Sequence, residues 1–122
     1  MSRTTLEDYE EIVNVLNGYI EGNISGKSEL MKSSFHKDAI MYGYTKDGNL
    51  SEGSIQNLYE VVDQSGPAQN LQFRIDILDV ADTIAMARVI LENAHGATYT
   101  DYHQLLKVDG EWKVIAKLFH QH

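Results

Sequence analysis

The apolar residues of this chain change period at Pro67, its single proline, and that switch constrains the fold more than any other feature. Before it apolar side chains recur every three or four positions; after it they alternate, so helices come first and strands follow. Leu6, Tyr9, Ile12, Val13, Leu16, Tyr19 and Ile20 form one stripe of an amphipathic helix. Thr4 with Glu7, or Thr5 with Asp8, supplies a capping box at its start, and Gly22 suits the left-handed position at its end. Beyond the polar run 23–27, Ser28 caps a short second helix that turns Leu30, Met31, Ser34 and Phe35 to one side, and Asp38 marks its exit. Residues 39–44 read as a short strand or extended segment, and Lys46-Asp47-Gly48-Asn49 as a turn. A third helix carries Ile55, Leu58, Tyr59 and Val62, and Ser65-Gly66-Pro67 stops it because proline cannot extend the hydrogen-bond ladder. Residues 71–80, 84–93, 98–108 and 112–120 are then strands with short hairpin connections, an antiparallel meander. Helices followed by a meander give an α+β fold with the helices on one face of the sheet.

The 122 residues, 43% hydrophobic and 23% charged, are the balance of a single domain over 1–122. A formal net charge of -8 argues against nucleic acid and against acidic membrane surfaces as partners. The absence of cysteine removes disulfides, thiolate nucleophiles and cysteine zinc sites together. The N-terminus turns acidic before any apolar run begins, and no window approaches the ~18 apolar residues of a membrane span, so a cytoplasmic protein is expected. Glycine-rich phosphate loops, Gly-x-Ser-x-Gly elbows and His-Glu-x-x-His helices are missing.

The stretches Val15-Leu16-Asn17-Gly18-Tyr19-Ile20-Glu21-Gly22, Phe35-His36-Lys37-Asp38-Ala39 and Leu105-Leu106-Lys107-Val108-Asp109-Gly110-Glu111-Trp112-Lys113-Val114, in that order, resemble the nuclear transport factor 2-like superfamily. Within it they are similar to the SnoaL-like and putative lumazine-binding group, and the resemblance covers nearly the whole chain. It implies a cone-shaped, cystatin-like fold in which a curved antiparallel sheet wraps a pocket closed by helices, with dimers formed through the outer sheet face. Superfamily members include isomerases, dehydratases, cyclases, hydrolases and proteins of no known activity, so the fold leaves function open. The catalytic base of the steroid-isomerase members would fall at or next to Gly43, which has no side chain, so that activity is not expected here.

Strand parity selects the residues that face the cone. With Asp109-Gly110-Glu111 as a three-residue loop, Val108 opposes Trp112, Leu105 opposes Ile115, His103 opposes Lys117 and Asp101 opposes Phe119. One face then carries Asp101, His103, Leu105, Ile115, Lys117 and Phe119, the mixture of greasy and ionisable groups typical of a ligand pocket. The other carries Tyr102, Gln104, Leu106, Val108, Trp112, Val114, Ala116 and Leu118, a more continuously apolar surface whose simplest cover is a second copy of the chain. Matching the preceding strand to the superfamily adds Arg88, Ile90 and Glu92 to the cavity, and Tyr19 and Tyr42 close it.

Asp101 and His103 stand two apart on one strand, about 7 Å along the backbone, close enough to serve a single ligand. They are either an acid/base pair, the carboxylate raising the imidazole pKa and orienting the ring, or charges that simply neutralise Lys117 and Arg88. A metal among Glu92, Asp101 and His103 is not expected, because no spaced His or Cys partner supports it and Lys117 would repel a cation. No cofactor is expected. Tyr19, Tyr42 and Tyr99 are hydrogen-bond donors to a ligand oxygen or core residues, and His36, His95, His120 and His122 are loop, turn and tail residues. The chain is therefore expected to be a homodimeric small-molecule-binding protein of unidentified ligand. The alternatives are a dehydratase, isomerase or cyclase that uses His103, Asp101 and Lys117 or Tyr42, and an interaction scaffold without catalysis.

Overall fold

The computed structural model describes residues 4–122; the first three residues of the N-terminal reading lie outside them. Helix α1 (Leu6–Ser25) starts at Thr5, whose side chain accepts from the Asp8 amide while the Asp8 carboxylate returns a bond to the Thr5 amide. The second of the two capping boxes is thus the one used. Gly22 lies inside the helix, not at its end: a Cβ there would press on Met31, and the left-handed cap falls to Gly26 (φ 67). The expected second helix is instead two 3-10 turns, Ser28–Leu30 and Lys32–Ser34, and Phe35 already belongs to strand β1 (Phe35–Tyr44). The eight residues between the Gly26 cap and β1 are too few for stable α-helix nucleation.

The remaining elements are β2 (Leu50–Ser51), α2 (Gln56–Ser65), β3 (Gln72–Ala81), β4 (Ile84–Ala94), β5 (Ala97–Val108) and β6 (Glu111–Gln121). One sheet of order β2-β1-β6-β5-β4-β3 contains all six strands. The C-terminal half is the expected meander, but β1 joins it by running parallel to β6, with Met41 level with Lys117 and Gly43 level with Phe119. The structure is α+β, with α1 laid across the sheet. Ile12, Leu16 and Ile20 of α1 are buried against it, each contributing about 1.5–3 kcal/mol. No helix of the described residues is long and apolar enough to cross a membrane.

The β5–β6 connection corrects the parity argument. Asp109 (φ 51) and Gly110 (φ 80) form a two-residue turn of the primed kind, so Val108 pairs with Glu111 and Lys107 with Trp112. A register shift between Gln104 and Leu105 then inserts Ile115 as an extra residue in β6, after which Gln104 pairs with Ala116, His103 with Lys117 and Asp101 with Phe119. The expected pairs hold on the far side of this bulge and fail on the near side. Trp112 and Val114, assigned to the outer face, are buried in the core, and Ile115 is displaced from the inner face.

Asp8 fastens α1 to this hairpin. Its Oδ1 accepts from Lys107 Nζ at 2.9 Å and from the Trp112 indole at 3.1 Å. The bond from Lys107, the Thr5 amide and the Trp112 donor together hold the Asp8 carboxyl far below its ordinary value of 3.8. A depressed carboxyl contributes stability above its unfolded pKa and loses it as pH falls through the folded value. Stability should therefore decline below about pH 4, with Asp63 and Asp76, also held low by their donors, adding to the loss. Asp8→Asn should melt lower than wild type at pH 7 and approach it toward pH 2; parallel melting curves at all pH values would show that Asp8 does not supply this acid limb.

Candidate functional site

Four buried polar side chains meet at the centre of the concave face. Asp101 and His103 point inward from β5, Lys117 comes from β6 beyond the bulge, and Tyr19 descends from α1; Asp101 and His103 are 0% exposed, Tyr19 1% and Lys117 4%. The Tyr19 hydroxyl donates to Asp101 Oδ2 at 2.7 Å, and His103 Nε2 lies 3.4 Å from the same oxygen. Because a carboxylate only accepts, Nε2 carries the proton and Nδ1 keeps a bare lone pair, with no partner among the described residues. Lys117 Nζ stands 3.9 Å from Asp101 Oδ1, and its only hydrogen bond among the described residues runs to Met41 Sδ at 3.6 Å. The amine is otherwise framed by the rings of Phe119 (4.7 Å) and Tyr19 (5.5 Å).

Burial and charge set the protonation states. Burial alone would raise the Asp101 carboxyl, but Lys117, His103 and Tyr19 outweigh it and hold the group below the ordinary carboxylate range. Burial pushes His103 down, against the pull of Asp101, so the ring is neutral; the expectation that the carboxylate would raise this histidine fails because no water reaches either. Burial likewise lowers Lys117, with Asp101 opposing. Tyr19 is raised, first by burial and then by Asp101, and keeps its proton.

A cavity of about 330 Å³ opens above this cluster. Tyr19, Met41, Tyr99, Lys117 and Phe119 line its depth, with Leu58, Val62 and Leu91 as apolar wall, and Asn23, Ser65, His95 and Gln121 among its polar lining. The His95 Nε2 lies 3.2 Å from the Gly66 carbonyl, tying the β4–β5 turn to the end of α2. Asp101 and His103 are not among the lining residues: they stand behind Tyr19 and Lys117, which are the groups a ligand meets. Among the described residues no group of three or more His, Cys, Asp or Glu is placed to hold a metal ion.

Several residues expected in the cavity face elsewhere. On β4 the inward, buried positions are Ala85, Ala87, Val89 and Leu91, so Arg88, Ile90 and Glu92 point out of the cone; Arg88 pairs with Asp76 at 3.1 Å on the outer surface. On β1 the inward parity belongs to Ala39, Met41 and Gly43, which turns Tyr42 outward at 38% exposure. Leu105 is buried in the core, away from the cavity, and Ile115 lines a shallow groove on the outer face. Tyr19, Lys117 and Phe119 are brought together on the cavity as expected. Met41 carries no sequence signal of its own, because only the parallel β1–β6 pairing sets it level with Lys117. Gly43 is required by the same pairing: a Cβ would run into the Phe119 carbonyl and ring.

Residues 7–120 match the putative lumazine-binding family. The chain is 32% identical to aldolase FrzH of Cladobotryum sp. over 119 residues, 97% of this chain and 94% of that protein. Among solved structures it superposes on a nuclear transport factor 2-like protein of unknown function from Methylobacillus flagellatus (TM-score 0.92, 41% identity, 98% of this chain and 95% of that one). A second nuclear transport factor 2-like protein of unknown function, from Shewanella baltica, is as close in shape (TM-score 0.92, 35% identity, 99% and 98%).

The Tyr19–Asp101 bond joins a neutral donor to a buried carboxylate. Tyr19→Phe should cost about 1.5–3 kcal/mol in a urea titration; a loss under about 0.5 kcal/mol would mean that the hydroxyl does not hold Asp101.

Proposed function

This chain belongs to the putative lumazine-binding family of nuclear transport factor 2-like proteins, and from that membership we propose a small-molecule-binding protein that takes a compact, largely apolar carbonyl compound and acts on the carbon beside the carbonyl. The observation that carries this reading is Lys117, an amine deep in an apolar cavity with a buried carboxylate 3.9 Å behind it. A preorganised cation or amine in a dry site acts on a carbonyl far more strongly than one in water. The aldolase relative supports carbonyl chemistry over a purely passive binder or an interaction scaffold. Lys117 is the catalytic group. Asp101 and His103, out of the ligand's reach, are positioning residues: Asp101 fixes Tyr19 and balances the charge of Lys117, and His103 donates to Asp101 and fills the space behind it.

The outer sheet face supports self-association. Tyr42, Leu118 and Tyr102 adjoin one another across β1, β6 and β5, and the row continues to Arg88 and its partner Asp76. Leu118 is 50% and Tyr102 52% exposed, with Ile84 and Met86 also open. An apolar strip beside an opposite-charge pair is self-complementary about a twofold axis, so a second copy is the occupant we propose.

A thermal-shift series with cyclohexanone, benzaldehyde and acetophenone tests the first reading. At ten times Kd a binder gains about 1.4 kcal/mol, roughly 5 °C for a domain of this size, and the protein should exchange the α-protons of cyclohexanone for deuterium. Lys117→Met should abolish that exchange, whereas His103→Gln should keep the thermal shift and slow exchange about tenfold. No shift with any of the three would leave only a scaffold. Light scattering should report about twice 13.8 kDa, and Tyr102→Glu should return the monomer mass; a wild-type monomer at micromolar concentration refutes the dimer.

A further inference from the structure

A lysine ammonium has three protons to donate, and among the described residues the acceptors on offer at Lys117 are a thioether at 3.6 Å and a carboxylate oxygen beyond hydrogen-bond distance. The two ring faces around it attract a cation but give it no lone pair. The buried carboxylate favours the protonated amine, but three N–H donors with so few acceptors oppose it, so this lysine gives up a proton more readily than an exposed one, and its nitrogen lone pair is then free to face the cavity. The remaining ionisable groups on the cavity are Tyr19, Tyr99 and His95. Tyr19 is committed to Asp101 as a donor, burial holds Tyr99 protonated, and His95 sits at the turn against the Gly66 carbonyl. With no cysteine in the chain, the Lys117 amine is the strongest nucleophile the cavity contains.

We infer that Lys117 captures its carbonyl ligand covalently, as an iminium ion, so that the reaction on the adjacent carbon proceeds from a lysine-bound intermediate. This rests on the carbonyl reading above and specifies how Lys117 serves it. The nitrogen attacks the carbonyl carbon, the carbon–oxygen π pair moves to oxygen, and a proton passes from nitrogen to that oxygen. The carbinolamine takes one proton from solvent, loses its hydroxyl as water, and leaves a carbon–nitrogen double bond that bears the positive charge. One amine, one carbonyl and one proton give one iminium and one water, with no change of oxidation state. Loss of a proton from the adjacent carbon to solvent then yields an enamine, the carbon nucleophile that an aldol addition needs.

The surroundings suit the product better than the free ammonium. An iminium has one N–H instead of three, so fewer donors go unsatisfied, and its charge is spread over carbon and nitrogen beside the Phe119 and Tyr19 rings. Asp101, already fixed by Tyr19 and His103, remains behind it as the counter-charge. The cavity, about 330 Å³ and mostly apolar, fits a small ring ketone or aryl aldehyde and limits the water that would hydrolyse the adduct.

Incubation at neutral pH with cyclohexanone and sodium cyanoborohydride, which reduces iminium ions to stable amines, tests this. Peptide mass mapping should find one cyclohexyl group on Lys117, at a rate on the order of tenfold above the open Lys37 (84% exposed). Lys117→Arg keeps a cation opposite Asp101 but cannot form an imine, and should lose the fast phase of labelling while remaining folded by circular dichroism. Labelling of Lys117 no faster than of Lys37, or a fast phase that survives in Lys117→Arg, overturns the inference. If cyclohexanone raises the melting temperature yet leaves Lys117 unlabelled, covalent capture is wrong and the non-covalent carbonyl reading stands. If it does neither, both fall.

Discussion

The extra residue in β6 decides what this fold can do. Side chains on a strand alternate, so a regular β6 that buried Trp112 and Val114 would also bury Ala116 and Leu118 and turn Lys117 and Phe119 to solvent. Inserting Ile115 reverses the phase halfway along: the turn-proximal half contributes hydrocarbon to the core, and the distal half contributes an amine and a ring to the cavity. The same irregularity bends the strand, and register shifts in β1 and β3 bend their pairings as well. Curvature and the polarity of the hollow therefore arise from one device. A straight sheet of this sequence would have neither a pocket nor a lysine in it.

Placing a charged pair at the bottom of such a hollow is costly, and the arrangement spreads the cost unevenly between its two members. Asp101 accepts a strong bond from Tyr19 and a weaker one from His103, so its charge is partly solvated by protein donors before Lys117 is counted. Lys117 receives much less, a thioether and two ring faces. The asymmetry places the burden of desolvation on the amine and lets it be the member that changes protonation state. Burial and the neighbouring charges thus divide the roles within one cluster: the carboxylate stays ionised, the phenol and imidazole stay neutral, and the lysine is held below its ordinary value.

The period change at Pro67, the α1 stripe, the hairpins and the convergence of Asp101, His103 and Lys117 could be read from the sequence, because each follows from local pattern and parity. What could not be read were the events that break pattern. The bulge at Ile115 has no residue signature, and without it the two-residue Asp109-Gly110 turn, which sets Lys107 opposite Trp112, spoils the pairing of His103 with Lys117 that the bulge restores. Arg88, Ile90 and Glu92 were misplaced through a match to relatives, although β4 itself alternates small apolar Ala85, Ala87 and Val89 with Met86, Arg88 and Ile90, which is the inward and outward order observed. Tyr42 and Met41 depend on a parallel β1–β6 pairing between residues 76 positions apart, such as Met41 and Lys117, and pairing at that distance leaves no local trace. Gly22 looked like a helix end and proved to be a packing contact with Met31.

Helix α1 is held by two carboxylates acting in opposite senses. Asp8, on the helix, reaches down to Lys107 and Trp112 of the hairpin; Asp101, on the sheet, reaches up to Tyr19 of the helix. The two attachment points are eleven residues apart, roughly 16 Å along the axis. One anchor would leave the helix free to pivot or to rise over the apolar contacts of Ile12 and Leu16, which are not directional. Two anchors fix both its height and its rotation, and Gly18 and Gly22 let it settle closely on Ser34 and Met31. The position of the Tyr19 ring over Lys117 is therefore set by the whole helix and not by the site alone. Asp8 and the Tyr19 ring beside Lys117 thus share one helix, and Asp8 meets β6, the strand of Lys117, again through Trp112.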